Sequence, residues 1–417
     1  MKRTLGLVAV SALMGFLDLS AQSNPSGPAQ VVIGAATSSS GGASSVVSVT
    51  PATTPPTVVP PSLAPAPTVV PVPPTPRKGS VTEARLVNLS TRARVTAASP
   101  LISGFAISGT TAWPMLVRAA GPGLTAFGVT GALATPRLQI RDAAGALVAE
   151  NAGWGGSAAL ANTFANAGAF PFAAGSADAA AVVTLAPGSY TVQVLDASPN
   201  NPSTGGVALV EVYDVGNRAD DSCLVNVSTR STVTTGGGEL ISGFVLAGDG
   251  YGTFLFRGVG PGLAALGVSG VLNDPVLTIF DSARRQVAYN DDWNGGPKPG
   301  TSQAAQVAQP VSGSGVVIPT LDPDLVIADS QATGAFVLAA NSLDAALVTT
   351  LAPGAYTVQV RGAGTVVSTF TPNAGANPTP GAPGAAQQAG SGTVSLTLVP
   401  PAPGVALREI YEVPLSF

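Results

Sequence analysis

The chain has 417 residues, of which 45% are hydrophobic and only 10% charged, with 50 Gly and 37 Pro. A net charge of -4, built from 18 basic and 22 acidic residues, leaves no polybasic footprint for nucleic acid, and the hydrophobic content excludes disorder for the chain as a whole. With no His and a single Cys, Cys223, there is no Ser-His-Asp or Cys-His catalysis, no common zinc site and no intrachain disulfide.

Residues 1–21 read as a secretory signal: Lys2 and Arg3, an apolar run over 5–17, then Leu19-Ser20-Ala21 as a small-residue cleavage site. The apolar run falls short of the roughly 20 residues a spanning helix needs. The expectation is an exported chain, secreted or held at the cell surface, with no membrane span once mature. An uncleaved anchor is the competing reading. Residues 22–80 are low in complexity, and the proline density of 51–76 predicts extended polyproline II, either a stalk or a disordered leader.

Strand patterning begins at Val81. Short alternating runs over 84–89, 101–107, 115–119, 137–142, 146–150, 180–185, 189–195 and 207–213 are separated by turn residues, with no long helical period. That pattern predicts an antiparallel sandwich of the Greek-key or jelly-roll kind over 81–218. One short helical turn is expected over 123–128.

The same order of motifs then returns over 222–417. Leu86-Val87-Asn88-Leu89-Ser90-Thr91-Arg92 corresponds to Leu224-Val225-Asn226-Val227-Ser228-Thr229-Arg230, and Ile102-Ser103-Gly104-Phe105 to Ile241-Ser242-Gly243-Phe244. Leu185-Ala186-Pro187-Gly188-Ser189-Tyr190 corresponds to Leu351-Ala352-Pro353-Gly354-Ala355-Tyr356, in each case a turn leading into an alternating strand. Tyr190 and Tyr356 are placed to bond back across that turn, as in the tyrosine corner of β-sandwiches. The widening offsets locate two insertions, one near 297–330 and one near 362–403; the second, rich in Gly, Pro, Ala and Gln, reads as mobile. The expected fold is therefore all-β: two tandem antiparallel β-sandwich modules after a Pro-rich leader.

This ordered set of motifs, over about 83–216 and 222–413, resembles repeat β-sandwich modules of large secreted or cell-surface proteins of environmental bacteria. The resemblance implies an exported β-sandwich and carries over no catalytic residue.

The strongest binding candidate is Asn290-Asp291-Asp292-Trp293. Asp291 and Asp292 with the Asn290 amide oxygen suit a hard cation such as Ca²⁺, and Trp293 offers a face to a sugar. The first module has Asn151-Ala152-Gly153-Trp154 there, without the carboxylates. The competing reading is an Asx-type turn with Trp154 and Trp293 capping the sandwich core. Arg118 and Arg257 stand in apolar strands, and ion pairs with Asp142 and Asp281 respectively would account for them. Gly258-Val259-Gly260-Pro261-Gly262 lacks the spacing and the Lys of a phosphate loop and reads as a turn. Asp322-Pro323-Asp324 is a weak match to paired glycosidase carboxylates, and Asn88-Leu89-Ser90 and Asn226-Val227-Ser228 are accidental matches to glycosylation acceptors. The function expected is a non-enzymatic structural or adhesive protein whose partners are a cell-envelope or matrix protein or a polysaccharide. A carbohydrate- or calcium-binding module at 290–293 is the alternative, with no other cofactor expected and no nucleic acid as partner.

Overall fold

Short runs rich in β-branched and other apolar residues form twenty strands among the described residues of a computed structural model. Those residues are 30–31, 47–48, 84–97, 99–198, 205–217, 222–234, 238–294, 322–372, 392–399 and 401–414. The signal segment, the proline tract at 51–76 and most of the first insertion lie outside them. No helix among them is long and apolar enough to cross a membrane.

Two compact units are present. The smaller comprises Ser23–Pro60 and Ala363–Pro401. In it β1 (Gln30–Val31) pairs antiparallel with β2 (Val47–Ser48). Two longer strands, β18 (Thr365–Pro372) and β19 (Gly392–Val399), form a regular antiparallel ladder. Both ends of the second insertion are therefore strand, where the sequence reads as a mobile loop.

The larger unit holds the remaining strands. In its first half these are β3 (Arg85–Val95), β4 (Leu101–Ser108), β5 (Trp113–Ala120), β6 (Pro136–Asp142), β7 (Leu147–Asn151), β8 (Ala179–Leu185), β9 (Gly188–Asp196) and β10 (Gly206–Asp214). Its second half contributes β11 (Cys223–Val233), β12 (Leu240–Ala247), β13 (Gly252–Val259), β14 (Pro275–Asp281), β15 (Gln286–Asn290), β16 (Ala345–Leu351), β17 (Gly354–Gly362) and β20 (Gly404–Glu412).

These strands make two eight-stranded antiparallel sheets, ordered β15-β14-β17-β12-β3-β10-β5-β8 and β16-β13-β20-β11-β4-β9-β6-β7. Each half supplies four neighbouring strands to each sheet, in the same internal order. What the sequence reads as two successive sandwiches is joined edge to edge, by β12 on β3 (Ile241↔Arg92 to Ala247↔Arg85) and by β11 on β4 (Cys223↔Ser108 to Arg230↔Ile102). One core runs through both halves, from Leu86, Phe105 and Val212 to Phe244, Phe256 and Ile410.

The expected helical turn is present as a 3-10 helix at Pro122–Phe127, ended by Gly128 at φ 78, and a second stands at Pro261–Leu266. Two α-helices were not expected. Ala158–Ala167 starts at Ser157, whose side chain accepts from the Leu160 amide, and Pro323–Thr333 starts at Asp322 with Pro in its first turn. They cover clusters that include Trp154, Phe164 and Phe172 in one half and Trp293, Val326 and Leu338 in the other.

Candidate functional site

The tyrosine corners form as the turn dictates. The Tyr190 hydroxyl donates to the Ala186 carbonyl at 2.7 Å and the Tyr356 hydroxyl to Ala352 at 3.0 Å. Phe105 stacks on Tyr190 and Phe244 on Tyr356, with ring centroids 5.4 and 5.3 Å apart.

Asn290 closes a turn. Its Oδ1 accepts from the Ala346 amide at 2.9 Å and its Nδ2 donates to the Asp292 carbonyl. Asn151 does the same for the Ala180 amide at 3.0 Å. Trp293 is 5% exposed, and its indole N–H donates to the Ala339 carbonyl at 3.1 Å. A ring so covered offers no face for stacking on a sugar. Trp154 is held alike, by the Ala173 carbonyl at 3.1 Å. Both tryptophans sit in the satellite clusters beneath the helices, and not in the core between the sheets. Asp292 is buried, and no group of three or more His, Cys, Asp or Glu side chains is placed to hold a metal ion among the described residues.

The ion pairs differ from the expected ones. Arg118 Nε lies 3.4 Å from Glu211 Oε2 and Arg257 Nη1 lies 3.4 Å from Glu409 Oε2; Asp142 and Asp281 are not the partners. Topology explains the correction. Arg118 on β5 and Asp142 on β6 belong to different sheets, whereas Glu211 is the direct cross-strand neighbour of Arg118, as Glu409 is of Arg257. Asp142 instead accepts from the Ala144 and Ala146 amides, and Asp281 from those of Ala283 and Arg285.

Each buried pair continues into a tyrosine: Tyr213 donates to Glu211 Oε1 and Tyr411 to Glu409 Oε1, both at 2.7 Å. Burial, reinforced by the neighbouring glutamate, pushes both phenols well above their ordinary range. Three rings, Phe164, Phe170 and Phe172, surround the Arg118 guanidinium at 4.4, 4.5 and 3.9 Å, whereas Arg257 meets Phe336 at 4.2 Å. These arginines are fully sequestered structural cations.

Sequence reasoning missed two carboxylates. Asp344 is fully buried, and its oxygens accept from the Gly260 amide at 2.8 Å and the Gly262 amide at 3.0 Å; Asp178 treats Gly121 and Gly123 in the same way. The Gly-Pro-Gly turns are thus small anion-binding nests filled by the chain's own aspartate. A Cβ on Gly260 would sit 2.0 Å from the Leu272 carbonyl oxygen, which is why the turn begins with Gly. The signal lay in Ser176-Ala177-Asp178-Ala179-Ala180 and Ser342-Leu343-Asp344-Ala345-Ala346, both just before a tyrosine corner. Asp322 caps its helix through the Asp324 amide, so that pair is committed to helix initiation. Asn88 and Asn226 are buried and donate to the Val212 and Ile410 carbonyls, out of reach of glycosylation.

A polar knot fills the joint between the halves. Thr91 Oγ1 lies 3.0 Å from Thr229 Oγ1 and 2.7 Å from Ser242 Oγ. Arg408, fully buried, donates to Thr229 at 2.9 Å and weakly to Thr91 at 3.4 Å. Its Nε and Nη1 meet no hydrogen-bond partner among the described residues, and burial brings its guanidinium down to about 9.

An open cleft of about 580 Å³ lies where the ends of β3 and β11, the start of β12 and the exit of the first 3-10 turn converge. Arg92, Arg94 and Glu239 enter it beside Phe127 and several hydroxyls. Burial lowers the Arg92 guanidinium from its usual range, and Gln359 Nε2 donates to Glu239.

No family model matches the chain, and no curated protein matches it. Among solved structures, a DUF4785 family protein from Legionella pneumophila subsp. pneumophila aligns at 10% identity over 80% of this chain and 85% of its own, with a TM-score of 0.18. So loose a superposition carries no inference about this chain.

Proposed function

We propose that the protein is an exported, non-enzymatic structural or adhesive component of the cell surface or extracellular matrix. One observation carries the reading: both sheets run without a break through both halves, so the larger unit is a single continuous sandwich. A body of that kind holds its ends at a fixed separation, which suits a spacer or a presenting scaffold. The signal-like start of the chain and its resemblance to secreted repeat modules support the location. Four buried carboxylates are engaged in holding the fold together: Asp178 and Asp344 in the glycine turns, Glu211 and Glu409 on buried arginines.

Fractionation of native cells tests the location, with the chain expected in the envelope or medium; recovery in the cytoplasm overturns it. Attachment of cells lacking the protein tests the role, and attachment equal to that of the parent strain overturns adhesion.

A further inference from the structure

We propose that the cleft between the ends of β3 and β11 binds a carboxylated polysaccharide, a polymer of uronic-acid sugars. The proposal rests on the adhesive reading and supplies its ligand. At about 580 Å³ the cleft has the size of a small-molecule site and accommodates a short stretch of sugar chain. Neither half makes it alone. Arg92, Arg94 and Phe127 come from the first half, Thr232 and Glu239 from the second.

The chemistry of its wall selects the ligand. Arg92 and Arg94 stand two residues apart on β3, on one face of the strand, so both guanidiniums address the same space. Against one Glu239 they leave the cleft with a local excess of positive charge in a chain whose net charge is -4. Guanidinium groups bind carboxylates through paired N–H donors. Phe127 is half-buried, braced edge-on by Phe170 at 5.0 Å, and gives a firm apolar face for a sugar ring. The hydroxyls of Thr130 and Thr232 and the Glu239 carboxylate suit sugar hydroxyls. A carboxylate in the cleft wall repels a densely charged polyphosphate or nucleic acid, but accepts hydrogen bonds from a polymer with one charge per sugar. That mixture of cations, hydroxyl partners and an apolar face favours the uronate.

Polygalacturonate oligomers are titrated into the full exported chain by calorimetry at low salt, alongside fully methyl-esterified oligomers and inorganic polyphosphate. The expected result is binding of polygalacturonate at least tenfold tighter than either comparison. The double variant R92Q/R94Q is expected to weaken it at least tenfold with an unchanged melting temperature, whereas R284Q/R285Q, on the exposed turn before β15, leaves it unchanged. No binding of polygalacturonate, equal binding of polyphosphate, or equal loss in the two double variants overturns the proposal. Attachment of cells carrying R92Q/R94Q, measured in parallel, separates the two readings: an adhesion phenotype that survives a failed titration leaves the adhesive role standing and removes only this ligand.

Discussion

Replacing Arg408 with Met is expected to stabilise the protein. Arg408 occupies on β20 the place that Val210 has on β10, counting from the shared Gly-Val-Ala-Leu start of both strands. Burial drops its guanidinium from the ordinary arginine range to about 9, which corresponds to a penalty of about 5 kcal/mol on the charged form at neutral pH. Against this stand two hydrogen bonds to Thr229 and Thr91, which offset part of the cost. Methionine keeps the unbranched stem and its packing. The hydroxyls left behind still bond to one another, Thr91 to Thr229 and to Ser242. Exchange of buried charges for apolar side chains of similar volume gains about 1–4 kcal/mol in other proteins. In a body of this size each kcal/mol moves the midpoint by about 2 °C, so a rise of about 2–8 °C is expected at pH 7 by calorimetry. The advantage has a pH signature. The folded-state value lies below the unfolded one, so the unfolded chain binds more protons above about pH 9. The parent protein therefore recovers stability as pH climbs from about 9 towards the ordinary arginine range, and the margin of the variant shrinks there. A variant melting at or below the parent at pH 7 refutes the reasoning.

Asp344→Ala strips the acceptor from the Gly260 and Gly262 amides, and at about 1–3 kcal/mol per buried orphan a loss of about 2–6 kcal/mol is expected by urea denaturation; Asp344→Asn, which keeps one carbonyl oxygen, loses less. Tyr356→Phe removes the bond to the Ala352 carbonyl and costs about 1 kcal/mol at pH 7. Burial first, then Asp281 and Tyr251, raise the Tyr356 phenol to about 12, so the contribution of Tyr356 is present below pH 10 and lost as pH rises towards 12; melting of the Phe variant is expected to fall less steeply across that window. Cys223 is 1% exposed at the head of β11, so its reaction with a thiol reagent is expected to follow unfolding, and rapid labelling of the native protein contradicts the burial.

Local chemistry was legible in the sequence and pairing was not. The tyrosine corners could be read because Pro-Gly-x-Tyr sets the turn and the hydroxyl together within five residues. The Gly-Pro-Gly turn was equally visible as a turn, but its aspartate arrives from 57 residues away in one half and 84 in the other. Arg118 was recognisable as a misfit in an apolar strand, yet its partner is fixed by cross-strand register, which composition does not encode. Asp142, the nearer acid in sequence, lies on the opposite sheet. The helix Ala158–Ala167 escaped because ten residues give too short a period; Ser157 and Gly168, its two caps, were the available signals. The merger of the halves was hidden for a related reason: β3 and β11 read as ordinary strands, and nothing in an alternating run says whether its far side meets solvent or another strand.

The two seams through the middle of the sandwich have a consequence for any truncated product. Cleaved between β10 and β11, either fragment would lay bare two rows of unsatisfied amides and carbonyls, one on each sheet, flanked by apolar side chains. Such a fragment has a ready remedy in a twin of itself, since the strand it lost and the strand it kept share the Leu-Val-Asn and Ile-Ser-Gly-Phe signatures. The full-length chain carries its own dimer partner, and its integrity is thereby independent of how dilute it becomes.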